Sequence, residues 1–157
     1  MSTVHVAPPS DGWEGWEHHF IHFHNFANLP SKKDHVILSP SFKCFDSEWR
    51  LHIFPGGDAS TLSGEVSIYL KHCSETEHVA AFNILIKDKA GKVCCEKLTT
   101  FNKFQNGGTW GWSDFVSRSS IIGPSNDVLN HGTLTTRMLI LGRNSDSGRN
   151  SGPADFF

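Results

Sequence analysis

The amino-acid sequence predicts an all-β fold, with seven or eight short antiparallel strands in a sandwich or a barrel. Apolar residues recur at every second position rather than every 3.6, in short runs bounded by Gly, Pro, Asn, Asp and Ser. With 157 residues, of which 38% are hydrophobic and 19% charged, the chain has enough apolar surface for one sizeable core. We therefore expect a single domain.

Extended segments follow one another through the first half. EHHFIHFHNF places Ile21 and Phe23 on one face of a strand, and HVILSPSF is a shorter segment closed by a proline-containing turn. In EWRLHIFPGG and in GEVSIYLKH, apolar and polar residues alternate, and the positions predicted to point inward are Trp49, Leu51, Ile53, Val66, Ile68 and Leu70.

The second half continues the pattern. HVAAFNILIKDKAGKVCCEK predicts a hairpin with KDKAG as its connection, LTTFNKF leads to a turn at Gly107 and Gly108, and TLTTRMLILG predicts a last strand. The serine-rich stretch SDFVSRSSII predicts no more than one turn of helix.

The chain ends differ in composition from its middle. Residues 1–16 are predicted to form a flexible lead, and residues 142–157, rich in Ser, Gly and Asn, a disordered tail. The folded domain is expected over residues 17–141.

Charge and cysteine content restrict the partners. A net charge of −2 gives no basic surface for nucleic acid or for anionic membranes, and no apolar run approaches the roughly 20 residues of a membrane span. The start lacks the features of a secretory signal, and the four cysteines form no CxxC motif. We expect reduced thiols and a location in the cytoplasm or the nucleus.

Two histidines form a possible metal motif. His22 and His24 lie two residues apart, a spacing with which imidazoles bind metals in jelly-roll enzymes, but residues 25–29, which follow directly, contain no carboxylate. A metal-dependent enzyme would need a third ligand brought close by folding. No GxSxG elbow, phosphate-binding loop or GxGxxG fingerprint is present, so no catalytic residue and no cofactor are predicted.

The stretch NGGTWGWSDF contains the strongest binding signal. In a strand, Trp110 and Trp112 share one face, and Gly111 removes a side chain from the other. Tryptophan is enriched in cores and in binding sites, and the neighbours Thr109 and Ser113 are polar. Both locations remain open at this point.

Six segments in order resemble the meprin and TRAF homology (MATH) domain, over Glu17 to Leu141. The resemblance rests on the W-x-L-x-I-x-P-x-G strand end from Trp49 to Gly57, the V-S-I-Y-L strand and the W-G-W-x-x-F turn. It implies an antiparallel eight-stranded β-sandwich of TRAF topology that binds short extended peptides of other proteins. The branch that looks most similar is the speckle-type POZ adaptors, where a BTB domain recruits a cullin-RING ubiquitin ligase.

The resemblance also implies the residues of a shallow aromatic groove. The positions that correspond to the family's groove are Tyr69, Phe82, Asn102, Thr109, Trp110, Gly111, Trp112 and Ser113. Asn102 stands where the family has a tyrosine. Gly108, Thr109 and Ser113 replace charged residues, so we expect a weaker preference for acidic peptides.

This interpretation has one condition and two alternatives. No BTB domain follows Leu141, so ligase recruitment is expected only if the chain is part of a larger protein. A carbohydrate-binding sandwich, which also uses exposed tryptophans, is the alternative, and the metal-dependent enzyme is a third hypothesis.

Overall fold

The computed structural model describes residues 13–61, 64–123 and 127–143 as two packed antiparallel sheets. A single 3-10 turn (Phe26–Asn28) and one helix, α1 (Arg118–Ile122), accompany the strands. In chain order the strands are β1 (Glu17–Phe23), β2 (Ile37–Leu38), β3 (Phe42–Cys44), β4 (Ser47–Phe54), β5 (Glu65–His72), β6 (His78–Lys87), β7 (Val93–Leu98), β8 (Asn102–Phe104), β9 (Thr109–Ser117) and β10 (Leu134–Arg143).

The ten strands of the described residues fill eight lateral positions. Sheet A has the order β1-β10-β6, and β7 and β8 lie end to end along the remaining edge of β6. Sheet B has the order β4-β5-β9, and β2 and β3 lie end to end along the remaining edge of β4. The predicted eight-stranded antiparallel sandwich is confirmed.

The alternation in β4 and β5 produces the core. Trp49, Leu51 and Ile53 on β4 are completely buried, as are the inward residues of β5. Ser67, predicted to face outward, is buried as well. Its hydroxyl donates to Ser113 O (2.6 Å) and accepts from Asp58 N (2.9 Å), which satisfies the buried oxygen.

Two histidines that hydrogen-bond to the same serine join the two sheets. His72 Nδ1 donates to Gln105 O (3.0 Å), so its Nε2 accepts from the Ser47 hydroxyl (2.9 Å). Ser47 Oγ in turn accepts from His78 Nδ1 (3.2 Å). Burial and the adjacent His72 lower the pKa of His78. The buried indole of Trp49 packs against both imidazoles.

Two tryptophans cover part of the outer face of sheet A. Trp16 is only 8% exposed, makes an edge-on contact with Trp13 and belongs to a small apolar cluster with Ala81 and Leu139. Trp13 and Trp16 lie within residues 1–16, the segment predicted to form a flexible lead, and residues 1–12 of that segment are outside the described part. Strands β6 and β10 place Ala81 and Leu139 outward, and the indole removes this apolar surface from water.

The remaining regular structure is short. Helix α1 has five residues and is capped at its N-terminus by Ser117, whose hydroxyl accepts from Ser120 N (3.3 Å), in agreement with the predicted single turn. In the described ranges, no helix has the length and apolar character needed to cross a bilayer.

Candidate functional site

Strand β9 forms one edge of sheet B. It pairs with β5 on one side, and no other strand of the described residues pairs with its second edge. Near its end, side chains of β7 reach two carbonyls: Cys95 Sγ contacts Phe115 O (3.2 Å) and Lys97 Nζ donates to Asp114 O (3.3 Å). A register shift opposite Ser67 bends the strand at this point. The edge of β9 is therefore partly covered at Asp114 and Phe115, and the stretch Thr109–Ser113 lies before this covered part.

The two tryptophans of β9 share a face, as predicted, but differ in burial. Their cross-strand partners are Leu70 and Ile68, which both point into the core. Trp112 is half-buried and packs against Phe82, with ring centroids 5.5 Å apart. Trp110 lies at the rim, 44% exposed, and its indole N–H donates to Lys103 O (3.1 Å). Trp112 thus belongs to the core boundary and Trp110 to the surface.

Phe82 requires a correction. The resemblance implied that it lines the groove, but its side chain is completely buried. It lies on the inner face of β6, a central strand of sheet A, in contact with Trp112 and Phe104. Phe82 supports Trp112 from below and offers no surface to a ligand.

Tyr69 and Gly111 occupy the opposite face. They are cross-strand partners, and a Cβ at position 111 would lie 2.2 Å from Ile68 O and 2.6 Å from Tyr69 Cα. The phenol of Tyr69 donates to the Asp58 carboxylate and contacts Phe54 edge-on. Burial and the Asp58 carboxylate raise the pKa of Tyr69 to about 12. Because Gly111 has no side chain, the Tyr69 side chain has only backbone beside it at this cross-strand position.

The implied single aromatic floor is therefore divided between the two faces of sheet B. Trp110 and Trp112 lie on the inner side of β9, whereas Tyr69 lies on the outer side of sheet B. Alternation along β5 and β9 dictates this outcome, because residues at odd and even positions point to opposite faces.

The polar members of the predicted set lie around this edge. Asn102 is half-buried at the start of β8 and donates to Thr100 O (3.0 Å). Thr109 is exposed, and Ser113 is half-buried with its carbonyl bonded to Ser67. Lys103, on the same short strand as Asn102, connects β8 to Trp110.

Lys97 is a site residue that sequence reasoning missed. Its ammonium lies 5.9 Å from the centroid of the Phe115 ring, beside the free edge. It sits on β7 opposite Ile84, a position that faces the sandwich interior. The expectation of a weaker preference for acidic peptides considered only Gly108, Thr109 and Ser113, which lie close to Trp110 in sequence. The predicted hairpin of β6 and β7 contained the information needed to find Lys97. Its cross-strand partner is the inward residue Ile84, so Lys97 is on the inner face as well.

His22 and His24 lie elsewhere, exposed on the outer side of β1. Their imidazole centroids are 6.2 Å apart, and their Nδ1 atoms bond to Thr135 Oγ1 (2.8 Å) and Thr133 Oγ1 (2.9 Å). Within the described ranges, neither belongs to a group of three side chains able to ligate one metal ion. The third ligand that the enzyme hypothesis requires is not near them in that part of the chain.

Comparisons with known proteins agree with this architecture. A family model described as the MATH domain matches residues 18–140. A solved structure described as Notothenia coriiceps TRAF5 has a TM-score of 0.56 at 13% identity, covering 83% of this chain and 74% of that chain. This similarity concerns the fold alone. No curated protein gives a significant match.

Proposed function

The chain belongs to the MATH domain family, whose domains are protein-interaction modules, and on this premise we propose that it binds extended peptides of other proteins along the free edge of β9. The observation that carries the proposal is an edge strand that, within the described residues, has no second partner and presents Trp110, 44% exposed, at its rim. An exposed edge pairs with an added strand through main-chain hydrogen bonds.

The two faces of β9 define how such a peptide would be selected. Side chains of an added strand alternate between the faces, as in any sheet. Those on the inner side meet Trp110 and Trp112, and those on the outer side pass Gly111 toward Tyr69. Apolar or aromatic residues at alternate positions of the peptide fit this arrangement, because cross-strand aromatic contacts stabilise a sheet.

Lys97 adds a charged contact to the apolar ones. Its ammonium lies beside Asp114 O at the end of the free edge, within reach of a peptide that extends past Ser113. An acidic residue at that end of the peptide would pair with it. Because the site is shallow, we expect a dissociation constant in the micromolar range, which corresponds to a binding free energy of about −8 kcal/mol.

A role as the substrate-recognition part of a cullin-RING ubiquitin ligase is a further step of the proposal. It is supported by the similarity of the motif order to the speckle-type POZ adaptors, and it requires a BTB domain in the same polypeptide or in a partner. Pulldown of cullin from cells that express the full-length protein would test it.

The expected location in the cytoplasm or the nucleus stays a prediction, which imaging of the tagged protein tests.

Selection from a displayed peptide library tests the binding proposal. We expect the native domain to enrich one short motif, and Trp110→Ala to lose it while keeping its unfolding transition. Phe20→Ala is the matched control, because Phe20 is a 59% exposed aromatic residue on the outer face of the other sheet. Equal enrichment by all three proteins, or none by the native domain, would contradict the proposal. Enrichment of glycans in a parallel array would instead favour the carbohydrate-binding alternative.

A further inference from the structure

An ionisable cluster lies where the edges of the two sheets meet, away from β9. Glu17 and His19 are two residues apart on β1, the edge of sheet A, and Cys44 ends β3, at the edge of sheet B. One potential ligand atom from each of the three side chains lies within 4.8 Å of the other two. Among the described residues, this is the group of three that combines a carboxylate, an imidazole and a thiol.

The surrounding strands hold these side chains in place. The His19 imidazole lies against the ring of Phe42, with centroids 4.5 Å apart, and Phe42 is two residues before Cys44 on the same side of β3. Cys44 is followed by Phe45 and Asp46, which both have positive φ (52° and 61°) and form the tight turn into β4. The cysteine position is thus determined by a turn and by cross-strand pairing with Ser47.

The imidazole in this cluster has an unused nitrogen. Among the described residues, His19 Nε2 is shielded from solvent and has no hydrogen-bond partner, and it lies 3.6 Å from Glu17 Oε1, at ion-pair distance. A shielded polar atom without a partner is unfavourable and calls for an explanation. A cation between the three groups would satisfy the nitrogen and stabilise the thiolate.

A cleft gives access to two members of the cluster, Glu17 and Cys44. It has a volume of about 600 Å³ and is lined in part by Glu17, Cys44, Asp46 and Glu48, with Lys43 as the cationic residue. Three carboxylates against one ammonium favour the entry of a cation. The cleft also leaves room for a water molecule as a fourth ligand.

We propose that Glu17, His19 and Cys44 bind one Zn²⁺ ion, with a water molecule from the cleft completing a tetrahedral site. Zn²⁺ accepts mixed sulfur, nitrogen and oxygen ligands at about 2.0–2.3 Å, which places ligand atoms about 3.3–3.8 Å apart. The separation of His19 Nε2 and Glu17 Oε1, 3.6 Å, fits this geometry. The thiol proton leaves to solvent on binding.

The proposed ion would connect β1 to β3 and so join the two sheets at an edge. The inward-facing His19 is the relevant histidine, whereas the His-x-His spacing of His22 and His24 faces outward. The inference is independent of peptide binding at β9. A structural effect is expected: Zn²⁺ raises the unfolding temperature of the native domain, because it binds the folded chain.

Metal titration of the purified, chelator-treated domain under reducing conditions tests the proposal. We expect one Zn²⁺ per chain, and with Co²⁺ as a probe a thiolate-to-metal charge-transfer band in the near ultraviolet. His19→Gln and Cys44→Ser should each weaken Zn²⁺ binding by at least about tenfold. His22→Gln, a histidine of the same strand that faces outward, should leave it unchanged.

The fold of each variant is checked by its thermal transition without metal. If Cys44→Ser fails to fold, His19→Gln and Glu17→Gln carry the test, since both residues lie at the sheet edge. Substoichiometric Zn²⁺, a Co²⁺ spectrum without a thiolate band, or equal loss of binding in His22→Gln and His19→Gln would overturn the proposal.

Discussion

At position 111 the structure has room for a hydrogen atom and little more. The atoms that a methyl group at this position would meet first belong to the backbone of β5, which cannot move without breaking the ladder between β5 and β9. A glycine in a strand interior costs conformational entropy, and here the close approach of two backbones explains its presence. The same residue leaves Tyr69 open toward the proposed peptide site.

Gly111→Ala is expected to destabilise the domain by about 3 kcal/mol, at the upper end for overpacking, because the new methyl group meets fixed backbone atoms. Urea unfolding measures the change. The control is Gly91→Ala in the β6–β7 turn, where φ is 89° and a Cβ meets no atom within 4 Å. Backbone strain alone applies there, so we expect a loss of about 1 kcal/mol. Equal losses would contradict the proposed close contact.

Tyr69 is the only tyrosine of the chain, so tyrosinate absorbance reports on it alone. Because burial and Asp58 raise its pKa to about 12, we expect titration of the folded domain well above the ordinary value of about 10. The neutral phenol is favoured in the fold, so its contribution to stability is present below about pH 10 and is lost as the pH rises toward 12. Asp58→Asn should lower the midpoint. A midpoint near 10 in the folded native domain would exclude the contact.

At the scale of elements, strands β4, β5 and β6 are connected by the network of Ser47, His72 and His78. His72 belongs to sheet B and His78 to sheet A, so the network links the two sheets through buried polar groups. Each hydrogen in it has one acceptor if both imidazoles are neutral. The buried His78 Nε2 has no hydrogen-bond partner in the described part of the chain, which further disfavours the addition of a proton inside the fold.

This network predicts sensitivity to acid. The pKa of His78 is lower in the fold than in the unfolded chain, so its contribution to stability is present above about pH 6.5 and is lost as the pH falls below that value. The free energy of unfolding should decrease between about pH 7 and about pH 5, and His78→Gln should make the decrease smaller. His18 and His52, whose pKa values burial also lowers, supply the remainder. His22→Gln, on the exposed face, serves as control. An unchanged slope in His78→Gln would contradict this role.

Alternation in single strands was predictable because it depends on local sequence. Trp49, Leu51 and Ile53 were predicted inward and are buried, since one face of β4 covers the core. Contacts between strands distant in sequence were not predictable in the same way. Phe82 is buried and Lys97 reaches the β9 edge because β6 and β7 pack across from β9 in the other sheet. Side-chain pattern alone does not set the alignment of two sheets.

At the scale of the molecule, both faces of sheet A are partly covered. Its inner face packs on sheet B, and the cluster around Trp16 covers part of its outer face. Trp16 is buried and Trp13 half-buried, although the sequence ahead of β1 carries no hydrophobic period. The apparent lead-in thus contributes to the fold from residue 13 onward.

Trp16→Ala is expected to destabilise the domain by about 3 kcal/mol, through the loss of buried indole surface and the cavity it leaves. Phe20→Ala is the control, since Phe20 is 59% exposed and the guanidinium of Arg137 lies 5.9 Å from its ring centroid. We expect a loss below about 1 kcal/mol for it. Chemical denaturation of both variants provides the comparison. Equal stability of Trp16→Ala and the native domain would show that the outer cluster contributes nothing.

Pairing of a peptide with the free edge of β9 is tested most directly by amide hydrogen exchange, with and without a peptide enriched by the native domain. Main-chain pairing predicts that the peptide slows exchange in residues 109–115 and leaves β1, at the edge of the other sheet, unchanged. Slowed exchange in β1 with no change in β9 would contradict the proposed site.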